Sequence, residues 1–217
     1  MENKRRKFIL AACYLCSSKL IAAISPTMNT VNHLNDHSWS AITSVGYTQY
    51  QKMYSSDGQT FLMKLSIGKS LYTTPWGVLG VEAGVQNGNS VRIDTTDTYE
   101  YGGIPIEATI KPIFDVLATV RSNTIANLPL FVQVKGGAAF MHWQFDNNEA
   151  TRNQNQISGE IQAGLGVPLN EQASLSVLYQ GVFGGNPDFN INMYNGMAVA
   201  KHIPIQHGVL LSFAINV

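Results

Sequence analysis

The sequence predicts an all-β protein, an eight-stranded antiparallel up-and-down transmembrane β-barrel. Three observations predict it. Eight segments of about ten residues or more alternate apolar and polar positions with period two, the side-chain period of a strand. The connections between them alternate short and long. The ionisable residues inside the segments fall on the polar face: Lys64, Glu82, Glu107, Lys111, Asp115, Lys135 and Glu160, with none assigned to the apolar face.

Residues 1–23 are expected to be a cleaved export signal. Glu2 to Lys7 is a basic lead, Phe8 to Leu15 begins an apolar run, and Ala22-Ala23 offers small residues to a signal peptidase. Cys13 and Cys16 would leave with it, so no disulfide or thiol chemistry is expected afterwards. Its loss removes five of the 14 basic and one of the 14 acidic residues, leaving a net charge of −4. That balance, with only 13% charged residues, argues against a nucleic-acid partner. Residues 24–38 are expected to be a flexible lead, and residues 39–217 the barrel domain.

In the first strand, Trp39, Ala41, Val45 and Tyr47 oppose Ser40, Ser44, Gly46 and Thr48. A turn-rich loop, Gln51 to Gln59, leads to the clearest strand. There Phe61, Met63, Leu65, Ile67 and Leu71 are expected outward, with Leu62, Lys64, Ser66, Gly68 and Ser70 inward. Across the Thr73–Pro75 turn, Leu79, Val81, Ala83 and Val85 oppose Gly80, Glu82 and Gly84. Gln86 to Gly103 is a long polar stretch. Ile104 to Val120 then sets Ile106, Ala108, Ile110, Phe114, Val116 and Ala118 outward against Glu107, Thr109, Lys111, Asp115 and Thr119. Pro112 removes a ladder donor within this segment, which suggests a bulge or a strand end beyond the membrane.

After the short connection Arg121 to Asn127, Leu130 to Trp143 places Leu130, Val132, Val134, Ala138 and Phe140 opposite Gln133, Lys135 and Gly137. Ile157 to Val167 sets Ile157, Ile161, Ala163, Leu165 and Val167 against Ser158, Glu160, Gln162, Gly164 and Gly166. Beyond the Asn170–Gln172 turn, Leu175, Val177, Tyr179 and Phe183 oppose Ser174, Ser176 and Gln180. A Gly/Asn-rich loop, Gly184 to Gln206, precedes the last strand. That strand is apolar at Val209, Leu211, Phe213, Ile215 and Val217, and small or polar at Ser212, Ala214 and Asn216, with Leu210 the exception.

Short turns at one rim and long loops at the other are the pattern of a membrane barrel whose long loops face outside the cell. A soluble up-and-down barrel reverses the faces, with apolar residues lining a cavity and charges outside. Three basic and four acidic mid-strand residues are too few for a water-facing wall and suit a narrow lumen filled by ion pairs and glutamines. A turn centred near residue 124 or 125 would bring Asp115 opposite or next to Lys135, and Lys64 would lie diagonal to Glu82. Two interfacial belts are expected. Trp39, Tyr72 and Trp76 mark the short-turn rim, and Tyr47, Tyr50, Phe61, Phe140, Trp143 and Phe183 the long-loop rim.

The closing apolar alternation at Val209, Leu211, Phe213, Ile215 and Val217 resembles the last strand of bacterial outer-membrane β-barrels. With the eight-strand architecture over residues 39–217, it makes the chain similar to small OmpA-like or OmpX-like proteins. The resemblance implies Sec export, a Gram-negative outer membrane, and recognition of the last strand by the barrel-assembly machinery. It further implies contact with outer-membrane lipids and lipopolysaccharide, and a structural or surface-interaction role with an extracellular partner met through the loops. The family's last residue is usually Phe or Trp, whereas this chain has Val217 and carries its aromatic at Phe213.

Because some eight-stranded barrels modify lipid A or phospholipid, catalytic groups deserve a search; a narrow porin-like channel is the other alternative. A Ser–His pair needs both side chains at one rim with an acid to orient the ring. His207 and Ser212, five residues apart on a strand, point to opposite faces. His142 is expected on the lipid face near Asp146, without a companion serine. Lys201 to His207 lacks the carboxylates and spacing of a metal site, and Asp146 to Glu149 lacks the glycine of a calcium loop. Neither a cofactor, a metal nor a catalytic constellation is expected.

Overall fold

A computed structural model describes residues 38–51, 58–93, 106–125, 128–145, 154–184, 189–192, 197–200 and 205–217. The expected export signal and nearly all of the lead lie outside the described residues. Among the described residues are twelve strands: β1 Trp39–Tyr50, β2 Gln59–Thr74, β3 Gly77–Gln86, β4 Asn89–Ile93, β5 Ile106–Ile110 and β6 Ile113–Ser122, followed by β7 Phe131–Phe145, β8 Gln154–Pro168, β9 Ala173–Phe183, β10 Phe189–Asn192, β11 Met197–Ala200 and β12 Gln206–Asn216. Eight of them, β1, β2, β3, β6, β7, β8, β9 and β12, pair in chain order, and β12 returns to β1 to close an all-antiparallel barrel. The remaining four lie in stretches expected as loops or strand continuations. β10 and β11 pair with each other as a two-stranded sheet, and β4 and β5 extend the wall above β3 and β6.

Paired residues, followed once around the wall, give the stagger. Trp39 pairs with Lys69, then come Val81, Ala118, Gly136, Ile161, Gly181 and His207, which pairs with Gln49. The circuit returns to β1 ten residues beyond its start. With a rise of ~3.3 Å per residue and a strand spacing of ~4.8 Å, eight strands with this stagger tilt by about 40°. A ten-residue strand such as β3 then rises about 25 Å, the height of the apolar band of a membrane barrel.

The wall sorts its side chains by face. Leu65, Ile67, Val116, Phe114, Ile161, Leu165, Val177 and Tyr179 are exposed on the outside, while Lys64, Ser66, Glu82, Asp115, Lys135, Glu160, Gln162 and Gln180 are buried inside. At the short-turn rim an extra residue between Ser70 and Tyr72 bulges β2, leaving Leu71 and Tyr72 both exposed.

A second irregularity corrects the expected faces of the fourth segment. Between β5 and β6, Lys111 and Pro112 leave the ladder, so the inward series passes from Ile110 to Ile113 instead of skipping one residue. Ala108 and Ile110, expected outside, are buried, and Lys111, expected in the lumen, is exposed. The adjacent strand breaks at the same level, at Asn87-Gly88, and beyond it Val91 is the buried position. Asn87 terminates the β2–β3 ladder: its backbone N–H donates to Met63 O, its Oδ1 accepts from Met63 N at 2.7 Å, and its Nδ2 donates to Phe61 O at 3.1 Å. Glu107 pairs with Arg92 through the backbone in β4–β5, and its side chain lies outside the described residues.

Close approach of β8 and β9 depends on a missing side chain. A Cβ on Gly164 would stand 1.9 Å from Val177 O, whereas one on Gly159 of the same strand would meet nothing nearer than 4.0 Å. Gly164→Ala is therefore expected to lower unfolding stability by roughly 2 kcal/mol or more, and Gly159→Ala by less than about 1 kcal/mol. Urea titration of the refolded barrel in lipid vesicles checks the order; equal midpoints for the two variants contradict it.

Candidate functional site

The interior is layered. At the short-turn end a small polar cavity of about 70 Å³ is lined by Ser40, Ser70, Glu82, Thr119, Arg121 and Gln133, among others. That is room for a few water molecules and no larger solute. The Arg121 guanidinium stands 3.8 Å from the centre of the Phe131 ring, a cation–π contact that places an apolar floor beneath the charge.

Above it is the charged layer. Lys64 Nζ lies 2.8 Å from Asp115 Oδ1, 3.6 Å from Glu160 Oε1 and 3.7 Å from Glu82 Oε1. Lys135 Nζ donates to Glu82 Oε2 at 2.6 Å. These five side chains are almost wholly inaccessible, with relative exposures of 2% or less. Three carboxylates face two ammonium groups, and amides make up the difference. Gln162 Nε2 donates to Glu160 Oε1 at 2.6 Å and Gln180 Nε2 to the same oxygen at 2.9 Å. Gln180 Nε2 also reaches Gln86 Oε1 at 3.1 Å. Gly84 leaves the space the pair needs, since a Cβ there would stand 2.7 Å from Lys64 Cε and 3.0 Å from Asp115 Oδ1.

The expected pairing inside this layer is corrected by the register. Thr119 pairs with Lys135 and Arg121 with Gln133, which centres the β6–β7 turn at residue 127. Asp115 therefore sits opposite Ala139 and reaches across to Lys64, while Lys135 takes Glu82. Lys64 and Glu160 stand on non-neighbouring strands, a contact that hairpin spacing does not reveal.

Leu62, Leu178 and Leu210 form a buried apolar cluster among these polar groups. Its sequence signal was visible in part, because Leu62 and Leu210 stand on otherwise polar faces. Nearer the long-loop end lies a larger apolar cluster of Tyr50, Val91, Ala108, Ile110, Ile113, Ala139, Met141, Trp143 and Val182. The Tyr50 and Trp143 rings meet edge to face at 6.0 Å. Both were expected in the outer belt; both are buried inside. Tyr50 is even-numbered on a strand whose outward residues are odd, and Trp143 odd on a strand whose outward residues are even.

Trp39, Tyr47, Tyr72, Trp76, Phe140 and Phe183 stand exposed on the outer wall. So do Val209, Leu211, Ile215 and Val217, with Phe213 half-buried between them, on a strand paired to β1 and β9. Lys69 corrects the expectation of a charge-free apolar face: it lies on that face at the short-turn end, its Nζ 4.9 Å from the centre of the Trp39 ring. Between the levels of Lys69 and Lys111, below the exposed Arg92 of β4, no charged side chain points outward from the wall among the described residues.

Among the described residues, the expected Ser and His candidates do not come together. Ser212 Oγ hydrogen-bonds Ser44 Oγ at 2.7 Å in the interior, away from His207. The His142 Nδ1 pairs with Asn155 Oδ1 on the outer face, and Asp146 lies outside the described residues. Among the described residues no three His, Cys, Asp or Glu side chains gather in a metal-binding group.

No family model and no curated protein matches the chain. Solved structures do. Ail, the attachment invasion locus protein of Yersinia pestis, is 11% identical, with a TM-score of 0.47 over 83% of this chain and 97% of that one. Neisserial surface protein A is 9% identical, TM-score 0.45, over 83% and 97%. OprG, an outer-membrane protein from Pseudomonas aeruginosa, is 10% identical, TM-score 0.49, again over 83% and 97%. The likeness is one of fold.

Removing one partner of a buried ion pair leaves an uncompensated charge at a cost of about 3–5 kcal/mol. Lys64→Met leaves Asp115 and Glu160 without a cation, whereas after Lys135→Met Glu82 still has Lys64 at 3.7 Å, so the first is expected to be the more destabilising. Unfolding midpoints of the two variants test this; the reverse order contradicts the geometry.

Proposed function

We propose that this chain is an integral outer-membrane β-barrel of a Gram-negative bacterium, with a structural or surface-interaction role carried by its long loops. One observation carries the reading: the wall is apolar outside and charged inside. Leu65, Val116, Ile161 and Val177 on a water-facing surface would each forgo their burial energy, about 1.5–3 kcal/mol apiece. Facing hydrocarbon they keep it, and the closed ladder leaves no unpaired strand edge between β1 and β12 to cost energy in lipid. The aromatics near the two ends, Trp39, Tyr72 and Trp76 at one and Tyr47, Phe140 and Phe183 at the other, suit the two membrane–water interfaces.

Export through the Sec pathway brings the chain to the assembly machinery, which reads the apolar face of β12 at Val209, Leu211, Phe213, Ile215 and Val217. The filled lumen favours this role over a narrow porin. Leu62, Leu117, Leu178 and Leu210 occupy it together with the ion pairs, and each is at most 1% exposed. The enzyme alternative has no observation in its favour. An extracellular partner and lipopolysaccharide are the contacts a loop-bearing barrel of this kind makes.

Two measurements test the proposal. The native chain is expected in the outer-membrane fraction, and the folded form is expected to migrate differently from the boiled form on a gel; a soluble fraction without a heat shift contradicts it. In planar bilayers the wild-type protein is expected to give no stable conductance steps, because the charged layer and the leucines close the path. Sustained steps of uniform size show a channel instead.

A further inference from the structure

The break at Lys111-Pro112 does more than flip a face. Phe114 pairs with Phe140 and Phe140 with Ile157, so three large apolar side chains form a row across the outside of β6, β7 and β8. Two residues further along β7, His142 pairs with Asn155, and the Lys111 N–H donates to His142 O at 2.9 Å. A polar row of Lys111, His142 and Asn155 therefore lies directly beyond the apolar row, one inter-residue pair, or about 7 Å, nearer the long-loop end. The two rows border one outward cleft, of about 640 Å³, which contains no carboxylate among its lining residues.

We propose that this cleft binds a phosphorylated, multiply acylated glycolipid of the outer leaflet, with phosphate on Lys111 and His142 and an acyl chain along Phe114, Phe140 and Ile157. The proposal rests on the reading of the outer wall as lipid-facing and adds a particular occupant. Phe140 stands in the outer aromatic girdle, so the row beyond it lies at headgroup level. A cation on the lipid side of a wall is costly unless an anion or water meets it there. Regular alternation would have turned Lys111 into the lumen; the two residues that leave the ladder present it outward instead. Its ammonium has no ion-pair partner among the described residues, which leaves it available to an anionic headgroup. The long-loop side is the outer leaflet, where phosphorylated glycolipid is the anionic lipid, and this position selects it over phospholipid.

The test uses the full chain refolded in zwitterionic micelles, with folding and lipid insertion established first by heat-shifted migration and reconstitution into vesicles. Failure there would refute the lipid-facing wall itself and is distinct from failure at the cleft. Native mass spectrometry then measures retention of diphosphoryl lipid A. Lys111→Gln and His142→Gln are each expected to weaken retention about tenfold, and Lys111→Arg to preserve it. Lys69→Gln removes the same charge from the opposite rim and is expected to change nothing. On the wild-type protein, enzymatically dephosphorylated lipid A is expected to bind at least tenfold less tightly. Unchanged retention by Lys111→Gln, an equal loss in Lys69→Gln, or equal binding of the dephosphorylated lipid overturns the site. Phosphatidylglycerol retained as strongly as lipid A overturns the choice of glycolipid.

Discussion

The charged layer inside this barrel is arranged around Lys64. An eight-stranded wall encloses a space only wide enough for side chains to fill, so a charge placed there gives up its water. One ammonium within 3.7 Å of three carboxylates from three other strands turns that penalty into a cross-brace. β2, β3, β6 and β8 are tied across the interior, independently of the backbone ladder that ties each strand to its neighbours. Lys135 and the glutamines complete the set. Gln162 and Gln180 both donate to Glu160, supplying by dipoles the share of positive charge that a third cation would bring. Replacing the whole set with matched apolar residues would cost far less than removing one member, so the pattern is a device for specifying the register more than for adding stability.

The outer wall and the interior follow from a single period-two pattern, which is why most of the fold was legible in the sequence. Strands around Phe61–Leu71, Ile157–Val167 and Val209–Val217 declare their faces residue by residue, and the charged positions tell which face avoids hydrocarbon. What the pattern does not carry is an absolute phase. One extra residue at Pro112 inverts every assignment on the far side of it, and so Ala108 and Ile110 were placed outside and Lys111 inside. The proline was visible as an irregularity; the direction of the phase change beyond it was not, because Ile106, Ala108 and Ile110 are as apolar as an outward face requires. In this part of the barrel the interior is apolar as well, so the two faces differ too little in composition to be told apart.

The candidate site was legible as a set and illegible as pairs. Of the seven charges expected in the lumen, Lys64, Glu82, Asp115, Lys135 and Glu160 are buried together, Lys111 is exposed, and the side chain of Glu107 lies outside the described residues. Which carboxylate meets which lysine depends on the stagger of the barrel and on the turn between β6 and β7, whose centre at residue 127 lies two or three positions from where spacing alone put it. Contacts between strands that are not neighbours, such as Lys64 with Glu160, have no local signature at all. Tyr50 and Trp143 carry the same lesson. An aromatic residue near a strand end fits a membrane belt or an apolar interior equally well, and only the parity of its position distinguishes them.

Asn87 decides how the upper hairpin is joined to the wall. By taking a donor and an acceptor from β2 with its own amide, it finishes the β2–β3 ladder where the eight-stranded wall gives way to the β4–β5 extension. No ladder hydrogen bond in the described β2–β3 pairing continues past that stop, while on the other flank β5 stays laddered to β7, so a length change in the hairpin bears on the alignment of β7 and not on that of β2. The hairpin is thereby hinged on one side of the barrel and free of the other.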